Sequence, residues 1–284
     1  MVLVATGNAG PRNPEGPVVA FFDVDGTLVY RTPESGPGMF ARPRVVDAVC
    51  AFVRSGGIAV LSTGRSLCGV NEVRSQMPFG GFVTMDGAYV EFDGKAVVDQ
   101  CFSRDLLEQT VEAMRSVDMS CFLQGTEICA QLSPDGRNPF GDVVAAARDI
   151  MGLAAIKPDL RFGKIDFFGD DYDRFCKSEF LARELTYYDV GDGCHELVMS
   201  GVNKGAGARA LLRALEQAWG VAPSRVFTFG DSENDLSLFE IADVAVAMGQ
   251  AAEHIRVAAD YVTDTCADDG VATALEHFGF VGIE

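Results

Sequence analysis

The chain has 284 residues, 48% of them apolar, and a formal net charge of −18, which describes a globular protein that repels nucleic acid and anionic membranes. No local basic patch reverses that field, so a site for an anionic substrate must supply its own cation or a few Lys and Arg. No apolar run nears the roughly 20 residues that span a bilayer, and the first residues lack the basic and apolar regions of a secretory leader. The expectation is a cytoplasmic protein, monomeric or homodimeric, with neither membrane nor nucleic acid as partner. Eight cysteines, at 50, 68, 101, 121, 129, 176, 194 and 266, include no C-x-x-C and fit neither a disulfide framework nor a zinc cage.

Residues 1–16 hold Gly7, Gly10, Pro11, Pro14 and Gly16 without periodicity and read as a flexible leader. The run Val18-Val19-Ala20-Phe21-Phe22 predicts a first strand, and 41–55 a helix with Val45, Val46, Val49 and Phe52 on one side. A second strand follows at 58–61, a second helix at 66–77 and a third strand at 82–84. Short apolar strands alternating with helices make parallel β-α units, which take ligands outside the carboxyl ends of their strands.

The pattern then changes. Hairpin strands at 88–92 and 95–102 turn at Asp93-Gly94, and a helix spans 103–117. A strand pair lies at 119–123 and 127–132, followed by a helix near 140–151, a strand at 164–168, a helix at 172–184, and strands at 185–190 and 195–199. Cys194 and His195 are neighbours at the head of a strand and point to opposite faces, which disfavours a thiol–imidazole pair. From Asn203 the alternation resumes with a helix to 219, a strand at 225–229, a helix to 241, a strand at 244–247 and two shorter units. The expected fold is α/β: a Rossmann-like, doubly wound, mostly parallel sheet made from 17–86 and 200–284, with an α+β module inserted over 87–199.

Four segments carry chemistry. Asp23-Val24-Asp25-Gly26-Thr27 ends the first strand, where residues two apart share a face at about 6.6 Å and can address one cation or one reacting group. Leu61-Ser62-Thr63-Gly64-Arg65 ends the second strand ahead of a helix, an anion seat or a set of ordinary N-caps. Lys204 sits in the first turn of a helix, where the macrodipole disfavours it; an anionic partner explains it, and so does simple solvent exposure. In Gly230-Asp231-Ser232-Glu233-Asn234-Asp235, Ser232 and Asp235 fit a capping box, which leaves Asp231 unexplained. Bringing Asp231 toward Asp23 and Asp25 calls for a divalent cation among them.

In this order, each at the carboxyl end of a strand or the start of a helix, these segments resemble the four motifs of the haloacid dehalogenase (HAD) superfamily, and among them the Cof-type phosphatases of subfamily IIB with a large α/β cap. The resemblance runs from Val18 onward and is strongest over 227–249, Ala259-Asp260-Tyr261-Val262-Thr263 and Asp269-Gly270-Val271-Ala272. It implies a Mg²⁺-dependent phosphomonoester hydrolase acting on a small phosphorylated metabolite, such as a sugar phosphate, through an aspartyl-phosphate. Asp23 would be the nucleophile and Asp25 the proton carrier. Mg²⁺ would be held by Asp23, the Asp25 carbonyl and Asp231 with Asp235 nearby, and the phosphoryl oxygens by Thr63, the Gly64 backbone, Lys204 and Asn234.

Two departures stand out: Asp86 replaces an Asn common before Gly87-Ala88, and Gln250 replaces an Asn common after Gly249. Arg65, Arg137, Lys164, Tyr187 and Tyr188 are candidates for the cap or rim, each with an ordinary surface or packing alternative. A phosphomutase of the same superfamily and a non-catalytic ligand-binding member are the alternative functions.

Overall fold

The computed structural model describes residues 16–30, 40–137, 144–191 and 193–281, so all of the 1–16 leader but Gly16, and most of the loop before the first helix, lie outside the described residues. The chain opens with β1 (Val18–Phe22), α1 (Pro43–Arg54), β2 (Ile58–Ser62), a 3-10 turn at Leu67–Val70 with α2 (Asn71–Arg74), β3 (Gly81–Thr84), β4 (Tyr89–Phe92) and β5 (Lys95–Asp99). The next stretch holds α3 (Arg104–Ser116), β6 (Cys121–Gln124), β7 (Cys129–Leu132), β8 (Ala146–Ala147), α4 (Ile150–Ile156), β9 (Lys164–Phe168), α5 (Tyr172–Phe175), α6 (Glu179–Glu184), β10 (Leu185–Asp189) and β11 (Cys194–Met199). The return is α7 (Lys204–Trp219), β12 (Arg225–Gly230), α8 (Leu236–Phe239), β13 (Val244–Ala247), α9 (Glu253–Val257), β14 (Tyr261–Val262) and α10 (Gly270–His277).

Eight strands form the main sheet in the order β14-β13-β12-β1-β2-β3-β4-β5, parallel from β14 to β3, and six form a second sheet, β10-β11-β9-β6-β7-β8. The fold is α/β and doubly wound. Strand β1 shows why: Ala20 and Phe22 enter one core with α1 and α10, while Val19 and Phe21 enter another with Leu211 and Leu215 of α7. Side chains alternate across a strand, so a sheet covered on both faces reads as a continuous apolar run. Helix α1 answers with Val45, Ala48, Val49 and Phe52 buried, the one-sided spacing of a helix lying on a sheet, and Pro43 preorganises its first turn. No helix among the described residues is long and apolar enough to cross a membrane.

Several elements depart from the expectation. The hairpin β4–β5, assigned to the inserted module, pairs antiparallel with β3 and extends the main sheet. The turn between β3 and β4 is too short for the chain to leave the sheet, and Val90 and Phe92 join Val83 and Leu211 in one core. The helix expected at 66–77 is a 3-10 turn and one short helical turn, parted at Val70, whose backbone leaves the helical region at φ −118° and ψ +13°. The helix expected at 172–184 breaks at Ser178, whose hydroxyl caps α6 by accepting the Leu181 N–H. Residues 140–143 of the helix expected near 140–151 lie outside the described residues; beyond them comes β8, and α4 starts only where Asp149 accepts the Gly152 N–H.

Candidate active site

The ends of β1 and β12 meet because the Asp23 N–H continues the ladder, donating to the Phe229 carbonyl at 3.0 Å. Gly26 turns the chain at φ +80°, and a β-carbon there would lie 2.1 Å from Asp231 Oδ2. Only glycine lets the two strand-end loops approach this closely. Asp235 closes its capping box, its Oδ2 accepting the N–H groups of Asp231 at 3.0 Å and Ser232 at 3.1 Å.

Lys204 opens α7, whose start is fixed by Asn203 Oδ1 accepting the Ala206 N–H at 2.7 Å. A β-carbon on Gly205 would lie 2.0 Å from the Ser237 carbonyl, so the helix start presses directly on α8. The lysine does not point to solvent: it is 1% exposed, with Nζ 2.7 Å from Asp23 Oδ1 and 2.6 Å from Asp235 Oδ1. Its anionic partners are these two aspartates. Burial would lower its pKa, but Asp23 and Asp235 outweigh that and raise it, so it stays charged.

Asp23, Asp231 and Asp235 each offer an oxygen within 4.8 Å of the others, a group able to hold a metal among the described residues. Three carboxylates face one lysine here, leaving excess negative charge in a buried place. Burial holds Asp23 well above the ordinary carboxylate range, against the pull of Lys204 and with Asp235 and Asp231 reinforcing it. Burial and then Asp235 push Asp231 up to about 7. An all-oxygen, over-charged set of this kind suits a hard divalent cation such as Mg²⁺. The Asp25 carboxylate turns elsewhere, into a two-pronged pair with Arg65 at 2.7 Å (Nε to Oδ2) and 2.6 Å (Nη2 to Oδ1).

Thr63 and Gly64 follow β2, but no long helix follows them, so a helix N-terminus is not what could bind an anion there. Thr63 Oγ1 accepts the Arg65 N–H at 3.1 Å, and the Gly64 carbonyl accepts from Lys164 Nζ at 2.8 Å. Asn234 Nδ2 donates to Asp86 Oδ1 and Glu196 Oε2, each at 3.0 Å. A cavity of about 290 Å³ joins these groups: Asp23, Asp25, Thr63, Gly64, Asp231 and Asn234 line it from the main sheet's side, and Gln124, Lys164, Asp166 and Glu196 from the second sheet. Lys204 and Asp235 lie behind this lining, reaching it through Asp23 and through the Asp231 backbone.

The second-sheet wall was only partly anticipated. Lys164 was a candidate; Gln124, Asp166 and Glu196 were missed. Their signal is the alternation Lys164-Ile165-Asp166-Phe167 in β9, where Ile165 and Phe167 enter the insert's own core and the charged residues take the opposite face. Register then places Gln124 beside Lys164 and Glu196 beside Asp166. Lys164 is 1% exposed, in contact with Glu196, 3.1 Å from Asp86 Oδ2 and 3.2 Å from Asp166 Oδ1. Burial and then Asp86 push the Glu196 carboxyl up to about 8. For Asp86, burial acts upward but Lys164 and Lys204 prevail and lower it. Arg65 also lines the cavity, whereas Arg137 pairs with Asp171 at 2.9 Å, Tyr187 stacks on Phe175 and His195, and Tyr188 packs beside Val198.

Both departures find a place. Asp86 is fully buried at φ +53°, a left-handed conformation that Asn and Asp tolerate best, and Lys164 balances the charge an Asn would not carry. Gln250 Nε2 donates to the Gly26 carbonyl at 2.6 Å and to Asp231 Oδ2 at 3.0 Å, while its Oε1 accepts the Cys266 N–H at 2.9 Å.

The family model of haloacid dehalogenase-like hydrolases matches residues 20–275. The chain belongs to the haloacid dehalogenase-like hydrolases. It is 30% identical over 265 residues to a phosphoglycolate phosphatase of Natronomonas pharaonis, covering 89% of this chain and 94% of that one. Among solved HAD structures, a phosphatase of Bacteroides thetaiotaomicron superposes with a TM-score of 0.76 at 24% identity, covering 98% of this chain and all of the other. A HAD subclass IIB sugar phosphatase superposes at 0.74 with 21% identity, covering 93% of this chain and all of the other. The chain spans about half the length of other curated relatives that it matches, 55% of one and 46% of another.

Proposed function

We propose that this HAD-like protein is a Mg²⁺-dependent phosphomonoester hydrolase of small phosphorylated metabolites, sugar phosphates or similar, working through an aspartyl-phosphate on Asp23. The observation that carries the reading is Lys204 bonded at once to Asp23 and Asp235, with Asp231 alongside at the neighbouring strand end. Lys204 occupies Oδ1 of Asp23, which leaves Oδ2 to attack phosphorus as the bond to the leaving oxygen breaks. Asp25 gives that oxygen a proton and takes one back from the water that hydrolyses the aspartyl-phosphate. Arg65 orients Asp25 until a phosphoryl group arrives beside Thr63 and Gly64 and competes for the guanidinium. Held by Asp23, Asp231 and the Asp25 carbonyl, with Asp235 behind, Mg²⁺ would neutralise charge between carboxylate and phosphate.

Gln124, Lys164, Asp166 and Glu196 face the leaving group across the cavity and select it. The sugar phosphatase and phosphoglycolate phosphatase relatives support a small phosphorylated substrate. Hydrolysis of an aryl phosphate with Mg²⁺ tests the reading: Asp23→Asn is expected to lose about 10³-fold or more, as expected for a group on which a chemical step depends. Equal rates in wild type and variant overturn it, and turnover that needs a bisphosphate activator and releases no phosphate points to the phosphomutase instead.

A further inference from the structure

Cys68 lies in the 3-10 turn just beyond Arg65, and Cys129 opens β7 of the second sheet. Their sulfurs stand 3.9 Å apart, and Ser66 Oγ touches both, at 3.3 Å from Cys68 and 3.4 Å from Cys129. Neither thiol is fully buried. One step away the Ser66 N–H donates to Gln124 Oε1 at 2.5 Å, so at this point the strand-end loop of the main sheet meets the insert. Arg65 and Gln124 both line the cavity, which puts the two sulfurs at its margin.

We propose that Cys68 and Cys129 form an oxidisable dithiol, a modification site whose disulfide staples the insert to the main domain across the cavity. A disulfide needs the sulfurs at about 2.05 Å, a movement of about 2 Å that two side chains can share. The hydrogen bond from Cys129 pushes the Cys68 thiol down to about 6, and the same bond, with burial, pushes Cys129 up. Cys68 is therefore the attacking sulfur and Cys129 the resolving one.

The oxidant is a peroxide. The Cys68 thiolate attacks one peroxide oxygen and the O–O bond breaks; the departing hydroxide takes a proton, leaving water and a sulfenic acid. The Cys129 sulfur then attacks the Cys68 sulfur, the S–O bond breaks, and the hydroxide leaves as water with the Cys129 proton. Two thiols lose two electrons and two protons, and one peroxide becomes two waters. Asp25 and Arg65 on one side of the cavity face Lys164 and Glu196 on the other, so a covalent bridge at its margin ties the two walls together and slows the exchange of substrate and product.

This consequence for turnover rests on the phosphatase reading, whereas the linkage does not. The test treats the full chain with hydrogen peroxide, maps peptides without reduction and follows Mg²⁺-dependent aryl phosphate hydrolysis. A peptide pair joining Cys68 to Cys129 is expected, with at least about a tenfold loss of activity that dithiothreitol restores, since a closed lid blocks exchange. Cys68→Ser and Cys129→Ser should each abolish the linkage and keep activity under peroxide; Cys68→Ala substitutes if either fails to fold. Oxidation of Cys68 without that linkage, or pairing with another cysteine, overturns the site. Linkage with undiminished activity overturns the staple, and an untreated enzyme without activity refutes the phosphatase reading while the peptide map still judges the dithiol.

Discussion

Two buried lysines each face three carboxylates, and they resolve the same imbalance differently. Lys204 stands with Asp23, Asp231 and Asp235 at the ends of strands in the main sheet. Lys164 stands with Asp86, Asp166 and Glu196 at the seam with the insert. At Lys204 the carboxylate oxygens converge on one another and suit a divalent ion. At Lys164 amide donors share the load: Asn234 serves Asp86 and Glu196, Gln124 serves Asp166, and Glu196 keeps its proton to about 8. Equal formal charge thus has different chemistry according to whether the surplus is met by a cation or by protons and amides.

Lys204→Met should break this comparison most severely. It strands Asp23 and Asp235 in a buried place, at an expected cost of about 3–5 kcal/mol in urea unfolding, together with loss of phosphate hydrolysis. Lys164→Met strands its carboxylates too, but Asn234 still donates to Asp86 and Glu196 and Gln124 to Asp166, so a loss of about 2–3 kcal/mol is expected, partly recovered in Lys164→Met/Glu196→Gln. Equal losses in the two lysine variants, with no recovery, would mean that protons and amides carry none of the seam's balance.

Glu196→Gln sharpens the contrast through pH. The Glu196 carboxyl lies above its ordinary value of 4.5 in the folded protein, so ionisation works against folding as pH rises from about 4.5 to about 8. Thermal melts should show the Gln variant gaining on wild type across that window, with no further gain above it; a constant difference would refute the shift. Gln250→Ala should act least on stability, by about 1 kcal/mol, while weakening Mg²⁺ binding about tenfold through loss of the bond that orients Asp231. Calorimetric titration with Mg²⁺ measures it.

The sequence made the Lys204 cluster legible because all its members sit where a short apolar run stops or a helix starts, positions that local pattern marks. Asp231 stood out because a capping box explained Asp235 and left it over. The Lys164 cluster was less legible. Its members come from a loop and from strands β6, β9 and β11, and only register places Gln124, Lys164, Asp166 and Glu196 on one face. Likewise, the hairpin β4–β5 has the same local pattern whichever sheet it joins, and its burial against α7 decides the matter. Helix lengths were overestimated where the backbone leaves the helical region at Val70 and at Ser178 despite a favourable periodicity.

The centre of the main sheet sets a timetable for synthesis. Val19 lies beside Ile58 on one side but beside Val226 on the other, with the whole insert threaded between. Such a distant pairing is slow to form, and on a growing chain it waits for β12 to emerge. Until then Asp23 has neither Lys204 nor Asp231 for company, and the insert, which has its own core, can fold first. The nascent protein is therefore expected to be inert for most of its making, gaining its paired aspartates only when the last quarter of the chain docks.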